Sequence, residues 1–221
     1  MLVVPGGVAF ASGGKPTASP ESISAEASAS GSAGEVSRVS KPTGQFGRQL
    51  IVLDQPMPVP DYIFEEQVAD GSTRDLAILD FRGRVVVLNF WATWCGVCAK
   101  ELPKLDALAG KLAESGIDIV ALSLDEEMKV AAGTLKKRGH GTLRIFRDSQ
   151  SVLSALLGVR GVPTTFVVRP NGDAVAMVQG PADWSSPEAL AWLRSLAQAE
   201  AQNVPPASIP DLREGRVAAR D

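Results

Sequence analysis

The chain has 221 residues and a net charge of −3, with 45% hydrophobic and 21% charged residues. That length holds one ordinary domain or two small ones. The composition is that of a soluble globular protein rather than a multi-span membrane protein, and without a basic surplus nothing argues for a nucleic-acid partner, whose phosphates need a basic stripe.

From the start, Met1 to Ala11 is uncharged and mostly apolar, and it closes on Ala9-Phe10-Ala11. This is the small-residue pattern of an export-signal cleavage site, without the basic region that normally precedes it. We read residues 1–11 as the remnant of an export signal or anchor, against the alternative of a flexible apolar terminus. No stretch holds the roughly 20 apolar residues that span a bilayer. Residues 11–34 contain 17 Ser, Ala or Gly in 24 positions, too little apolar surface to offset the entropy of ordering them. Residues 12–49 are therefore expected to be a disordered linker. The prolines from Pro56 to Pro60 announce a folded domain over about 50–202, and the polar residues 203–221, with Pro205, Pro206 and Pro210, a tail.

Within the domain, Tyr62-Ile63-Phe64 and Leu76-Ala77-Ile78 predict a hairpin turning at Asp70-Gly71. Val85 to Phe90 is a continuous apolar run, the mark of a strand buried on both faces. A helical pattern runs from Cys95 to about Ser115, a second buried strand over Ile117 to Leu124, and a helix over Glu126 to Arg138. Leu143 to Phe146 is a weak strand and Ser151 to Leu157 a helix. Thr164 to Val168 and Ala174 to Gln179 form a hairpin through Pro170-Asn171-Gly172-Asp173, and Pro187 to Ala201 an amphipathic helix with Leu190, Leu193, Leu196 and Ala197 on one face. Alternating strands and helices imply an α/β sandwich around a central sheet.

The chain has two cysteines, Cys95 and Cys98. They are too few and too close for a secreted disulfide scaffold and, with the single His140, too few for a structural zinc site. A redox pair or two incidental buried thiols remain. Cys95 follows a buried strand and opens a helix, where free N–H groups and the helix dipole favour a thiolate, the attacking species in disulfide exchange. Cys98, one turn on, is deeper and suits the resolving thiol. The strand, the helix start and the flanking Trp91 and Trp94 favour the redox pair. Glu101 shares a helix face with Cys98; spacing alone leaves a solvated glutamate as the simpler reading, and burial beside the sulfur would make it a proton acceptor.

The run Val87-Leu88-Asn89-Phe90-Trp91-Ala92-Thr93-Trp94-Cys95-Gly96-Val97-Cys98 resembles the active-site stretch of thioredoxins, and Gly158-Val159-Arg160-Gly161-Val162-Pro163-Thr164-Thr165-Phe166 resembles their cis-proline loop. Cys98-Ala99-Lys100-Glu101-Leu102-Pro103, the strand end Ser123-Leu124-Asp125-Glu126 and the long segment before the proline loop are similar to the TlpA/ResA branch, the exported thioredoxin-like disulfide reductases of bacteria. The resemblance covers residues 58–200. It implies a thioredoxin-like three-layer α/β sandwich with a central mixed sheet, an N-terminal β-hairpin and a central insertion. It also implies a redox-active Cys95–Cys98 disulfide and a cis bond at Pro163, where cis is cheap for proline alone. Val162 would then be free to pair with an extended substrate segment, with Trp94 shaping the docking surface or serving only as rim packing. The same branch carries a glutamate where Glu101 stands, which favours the proton-acceptor reading. Thioredoxins have a buried Asp where this chain has Asn89, and an amide cannot shuttle a proton.

The activity implied by the resemblance is that of a thiol–disulfide oxidoreductase reducing disulfides of exported proteins, in the periplasm or on the outer face of the cell membrane. A membrane electron donor would keep it reduced, and cytochrome c maturation is the role of one branch. We expect a monomer with no cofactor and no metal. Gly96-Val97 supplies no positive charge between the cysteines, which favours a reductase over an oxidant, and Thr164 replaces the Glu of the cytochrome c branch. The competing readings are a copper-handling protein, since thiolate pairs suit Cu(I), a peroxidase, and a redox-inactive binding module. Copper-handling relatives carry a wider cysteine spacing and a partner histidine that are missing here, a peroxidase needs a different pattern around its cysteine, and an intact pair argues against the binding module.

Overall fold

The computed structural model describes residues 40–112, 114–148 and 150–203. The export-signal reading of residues 1–11, most of the linker and the tail beyond residue 203 lie outside the described residues. At the centre is β4 (Val85–Trp91), in which all seven residues are buried. It pairs in parallel with β5 (Ile117–Ser123) and antiparallel with β7 (Thr164–Val168). Outward from β5 come β6 (Ile145–Arg147), parallel to it, then the antiparallel hairpin of β2 (Ile63–Gln67) and β3 (Thr73–Ala77). Outward from β7 come β8 (Asp173–Gln179) and β1 (Ile51–Pro58), both antiparallel. The result is one eight-stranded mixed sheet, ordered β1-β8-β7-β4-β5-β6-β2-β3.

A buried strand alternates its side chains between two faces, and β4 divides the core accordingly. Val85, Val87 and Trp91 join buried residues of α1 (Gly44–Gln49), α2 (Cys98–Leu112), α3 (Met128–Lys137) and α5 (Pro187–Asn203). Val86, Leu88 and Phe90 join Phe64, Phe146, Phe166 and Leu153 of α4 (Val152–Leu156), together with Ile78 and Phe81 of a 3-10 turn. The fold is the three-layer α/β sandwich expected from the sequence, with the hairpin and the central insertion in place.

Beyond β1 (Ile51–Pro58), a strand absent from the sequence reading, two placements differ from it. Residues 44–49, assigned to the linker on composition, form α1. Phe46 is 1% exposed and packs on Trp184 and Trp192, with ring centroids 5.1 and 6.3 Å away. One aromatic residue among small and polar ones anchors the segment, because burying a phenyl ring outweighs poor local propensity. Gly44 makes the approach feasible. Its φ is +84°, and a Cβ there would fall 2.0 Å from a Glu188 carboxylate oxygen. The second difference is that α2 opens at Cys98, not at Cys95.

Candidate active site

The C-terminal end of β4 delivers the chain to the cysteines through a tethered turn. The Thr93 N–H and hydroxyl both donate to the Asp125 carboxylate, at 3.0 and 2.7 Å, and Ser123 Oγ donates to the same group at 2.6 Å. Leu124 N–H donates to the Trp91 carbonyl at 2.9 Å, and Cys95 N–H to the Ala92 carbonyl at 3.2 Å. Cys95 then caps α2. Its carbonyl accepts the Ala99 N–H at 3.2 Å, and its sulfur accepts the Cys98 N–H at 3.1 Å. Sulfur thus takes the first free N–H of α2, as a Ser or Asp oxygen takes a free N–H at a helix start. The helix begins three residues late, yet its first free donor still points at Cys95, and negative charge on that sulfur is favoured there.

Cys95 and Cys98 form a disulfide with their Cα atoms 5.3 Å apart. Cys95 is 8% exposed and Cys98 1%. Across from them the Val162–Pro163 bond is cis, and the Val162 carbonyl oxygen lies 3.5 Å from Cys95 Sγ. Pro163 is buried and Val162 half-buried. Gly180 N–H donates to the Pro163 carbonyl at 2.8 Å, and Thr164 Oγ1 to the Gly161 carbonyl at 2.7 Å, so both sides of the proline loop are fastened. Trp94, on the turn before Cys95, is 72% exposed, and Val97 is also exposed. Trp91 belongs to the core.

Glu101 is buried at 2% exposure, one turn of α2 beyond Cys98. Its Oε1 accepts the Ala182 N–H and the Trp184 indole N–H, both at 2.9 Å, and its Oε2 accepts the Asn89 amide at 3.2 Å. Burial pushes its carboxyl above the usual carboxylate range, while these donors and the Lys104 charge pull the other way. Asn89 also donates to Thr165 Oγ1 at 2.9 Å. His140 follows α3 and takes no part in these contacts; its backbone N–H donates to the Leu135 carbonyl.

The sequence reading missed Ala182 and Trp184, which contact Glu101 from 81 and 83 residues along the chain, and it saw Asp125 only as part of a resemblance. A tryptophan in the polar run Asp183-Trp184-Ser185-Ser186 was the available signal. Among the described residues no group of three or more His, Cys, Asp or Glu converges in a way that would hold a metal ion.

A mixed sheet whose central strand leads into a Cys-x-x-Cys helix cap, faced by a cis-proline loop, defines a thioredoxin-fold thiol–disulfide protein. The chain belongs to the AhpC/TSA family, whose pattern matches residues 57–177. It is similar to the thiol-disulfide oxidoreductase ResA of Bacillus subtilis, with 31% identity over 128 residues, 58% of this chain and 69% of that protein. It is equally similar to ResA of Oceanobacillus iheyensis, with 31% identity over 121 residues, 55% of this chain and 62% of that one. The chain thus spans about two thirds or less of the length of these curated relatives. Among solved structures, a Chlorobium tepidum protein described as a thiol:disulfide interchange protein DsbE matches with a TM-score of 0.55 and 28% identity, over 64% of this chain and 99% of that one. The resemblance to the ResA branch and the fold it implied are those found.

Proposed function

We propose that the chain is a disulfide reductase of exported proteins in which Cys95 attacks and Cys98 resolves. The observation that carries the reading is the place of Cys95 Sγ, which accepts the Cys98 N–H on one side and lies 3.5 Å from the Val162 carbonyl of the cis-proline loop on the other. In the reduced enzyme the Cys95 thiolate attacks a substrate disulfide and expels one substrate thiolate, leaving a mixed disulfide. Cys98 then gives its proton to the Glu101 carboxylate and attacks Cys95 Sγ. The Cys95–Cys98 bond forms, the Cys95–substrate bond breaks, and the second substrate thiolate leaves. The two electrons gained by the substrate are those lost by the pair, which a membrane electron donor restores.

Val162 and Pro163 present the backbone beside which an extended substrate segment pairs, and the exposed Trp94 ring is its apolar wall. The apolar run Met1 to Ala11 and the ResA relatives support a place on the outer face of the cell membrane or in the periplasm. No helix among the described residues is long and apolar enough to cross a membrane. Cytochrome c maturation is the finer assignment; its substrate is the oxidised Cys-x-x-Cys-His haem site of an apocytochrome.

The test is dithiol-driven reduction of insulin and of an oxidised Cys-x-x-Cys-His peptide by the purified chain. Wild type is expected to turn over both, and Cys95→Ala neither. Activity persisting in Cys95→Ala overturns the nucleophile. Tight Cu(I) binding with no reduction of either substrate replaces the reading by the metal-handling one.

A further inference from the structure

The two oxygens of Glu101 are not equivalent. Oε1 is held by two donors at 2.9 Å, the Ala182 N–H and the Trp184 indole N–H, whereas Oε2 has the Asn89 amide alone at 3.2 Å. An oxygen that already accepts two short hydrogen bonds is the poorer base, so an arriving proton goes to the other. Trp184 is 0% exposed and cannot turn its N–H to water. Phe46 of α1 meets its ring edge-on at 5.1 Å, and α1 is itself fixed by the Phe46 N–H on Glu188 Oε2 at 3.2 Å and by Gln49 Nε2 on the Pro181 carbonyl at 2.9 Å.

We propose that Trp184 is a positioning residue of the disulfide chemistry: seated by Phe46, its indole N–H locks Glu101 Oε1 and leaves Oε2 as the oxygen that exchanges a proton with Cys98. The inference rests on the reading of Glu101 as proton acceptor. It makes the segment ahead of the domain part of the site, since Phe46 reaches the carboxyl through Trp184. Among the described residues, the charge acting on Glu101 is Lys104 on its own helix, which also pairs with Asp183 at 3.5 Å.

A tryptophan serving only as core would be replaced by phenylalanine with little consequence for a carboxyl. Trp184→Phe keeps an aromatic ring and deletes the N–H, so a carboxylate that loses this donor should bind its proton more readily. The experiment is a pH titration of the full chain in its disulfide form, with carbon-13-labelled glutamate followed by NMR and the Glu101 signal assigned by its loss in Glu101→Gln. In Trp184→Phe the Glu101 midpoint is expected to rise by about one pH unit, the scale of one charged hydrogen bond. The pH profile of the resolving step should move in the same direction. Phe46→Leu, which loosens the ring without removing the N–H, should give a smaller rise, and it carries the test if Trp184→Phe fails to fold. An unchanged midpoint in a natively folded Trp184→Phe, or in Phe46→Leu where that variant stands in for it, overturns the proposal. A shifted midpoint with an unshifted resolving step overturns instead the proton-acceptor reading of Glu101, and leaves Trp184 as the holder of a carboxyl that serves no proton transfer.

Discussion

Cys95 Sγ lies 3.5 Å from the carbonyl oxygen of Val162, while Cys98, to which it is bonded, is buried at 1% exposure. Cys95 is the less covered of the two, at 8%, so on the proposed order a protein disulfide meets Cys95 first. Cys98→Ser removes the only neighbouring thiol able to break the mixed disulfide, so this variant should accumulate covalent adducts that dissolve on reduction. Cys95→Ser should accumulate none. Gel shifts of both variants, incubated with exported protein and resolved with and without reductant, decide the order; equal trapping by the two contradicts it.

The proposed docking strand uses the same relationship. On the proposed reading, a substrate segment held at Cys95 would run past Val162 and pair with its backbone by strand addition. Pro163→Thr in the Cys98→Ser background alters the loop next to that edge without touching either sulfur. The set of trapped partners, identified by mass spectrometry, should change in composition. An identical set removes the proline loop from substrate selection.

Asp125 gathers the Thr93 N–H, the Thr93 hydroxyl and the Ser123 hydroxyl on one buried carboxylate. Asp125→Ala leaves those donors without their acceptor, at a cost of about 2–4 kcal/mol for buried unsatisfied groups. Thr93 stands two residues ahead of Cys95, so the loss should also loosen the turn that aims the sulfur. Urea unfolding should show the lower stability, and the first attack on a substrate disulfide should slow. Wild-type attack rates in a destabilised Asp125→Ala would show the tether to be structural only.

How much of this was legible in the sequence depends on how local the signal was. The β4 run Val85–Phe90 and the hairpin at Asp70-Gly71 carry their patterns within a few residues, and they were readable. Cys95 and Cys98 announced themselves by spacing and flanking tryptophans. The start of α2 was not readable, since a capping sulfur and a first-turn residue look alike in periodicity. Phe46 was hidden because its partners, Trp184 and Trp192, are distant in the chain and its neighbours read as linker. The state of Glu101 was hidden for the same reason. Spacing put it beside Cys98, but its burial depends on the loop around Ala182 and Trp184, which no helix pattern reports.

Glu101 couples stability to pH, with a sign that can be worked out. Burial raises its carboxyl above the unfolded value, against the pull of the Ala182, Trp184 and Asn89 donors. Between the unfolded and folded midpoints the folded chain binds more protons than the unfolded one, so stability falls as pH rises through that window. Glu101→Gln carries no such proton. Its Oε1 can keep the Ala182 and Trp184 donors, and its Nε2 would face Asn89. The Asn89 Oδ1 is buried without a hydrogen-bond partner among the described residues, so a turn of that amide supplies an acceptor. The stability of Glu101→Gln relative to wild type should therefore increase as pH rises above the ordinary glutamate value, and level off once Glu101 is ionised in the folded state. Urea unfolding of both disulfide forms at a series of pH values between about 4 and 9 measures this. Over the same range the variant should attack through Cys95 at nearly the wild-type rate and resolve through Cys98 more slowly. A wild type that instead gains on Glu101→Gln with rising pH would mean that its donors outweigh burial and hold the carboxylate ionised throughout.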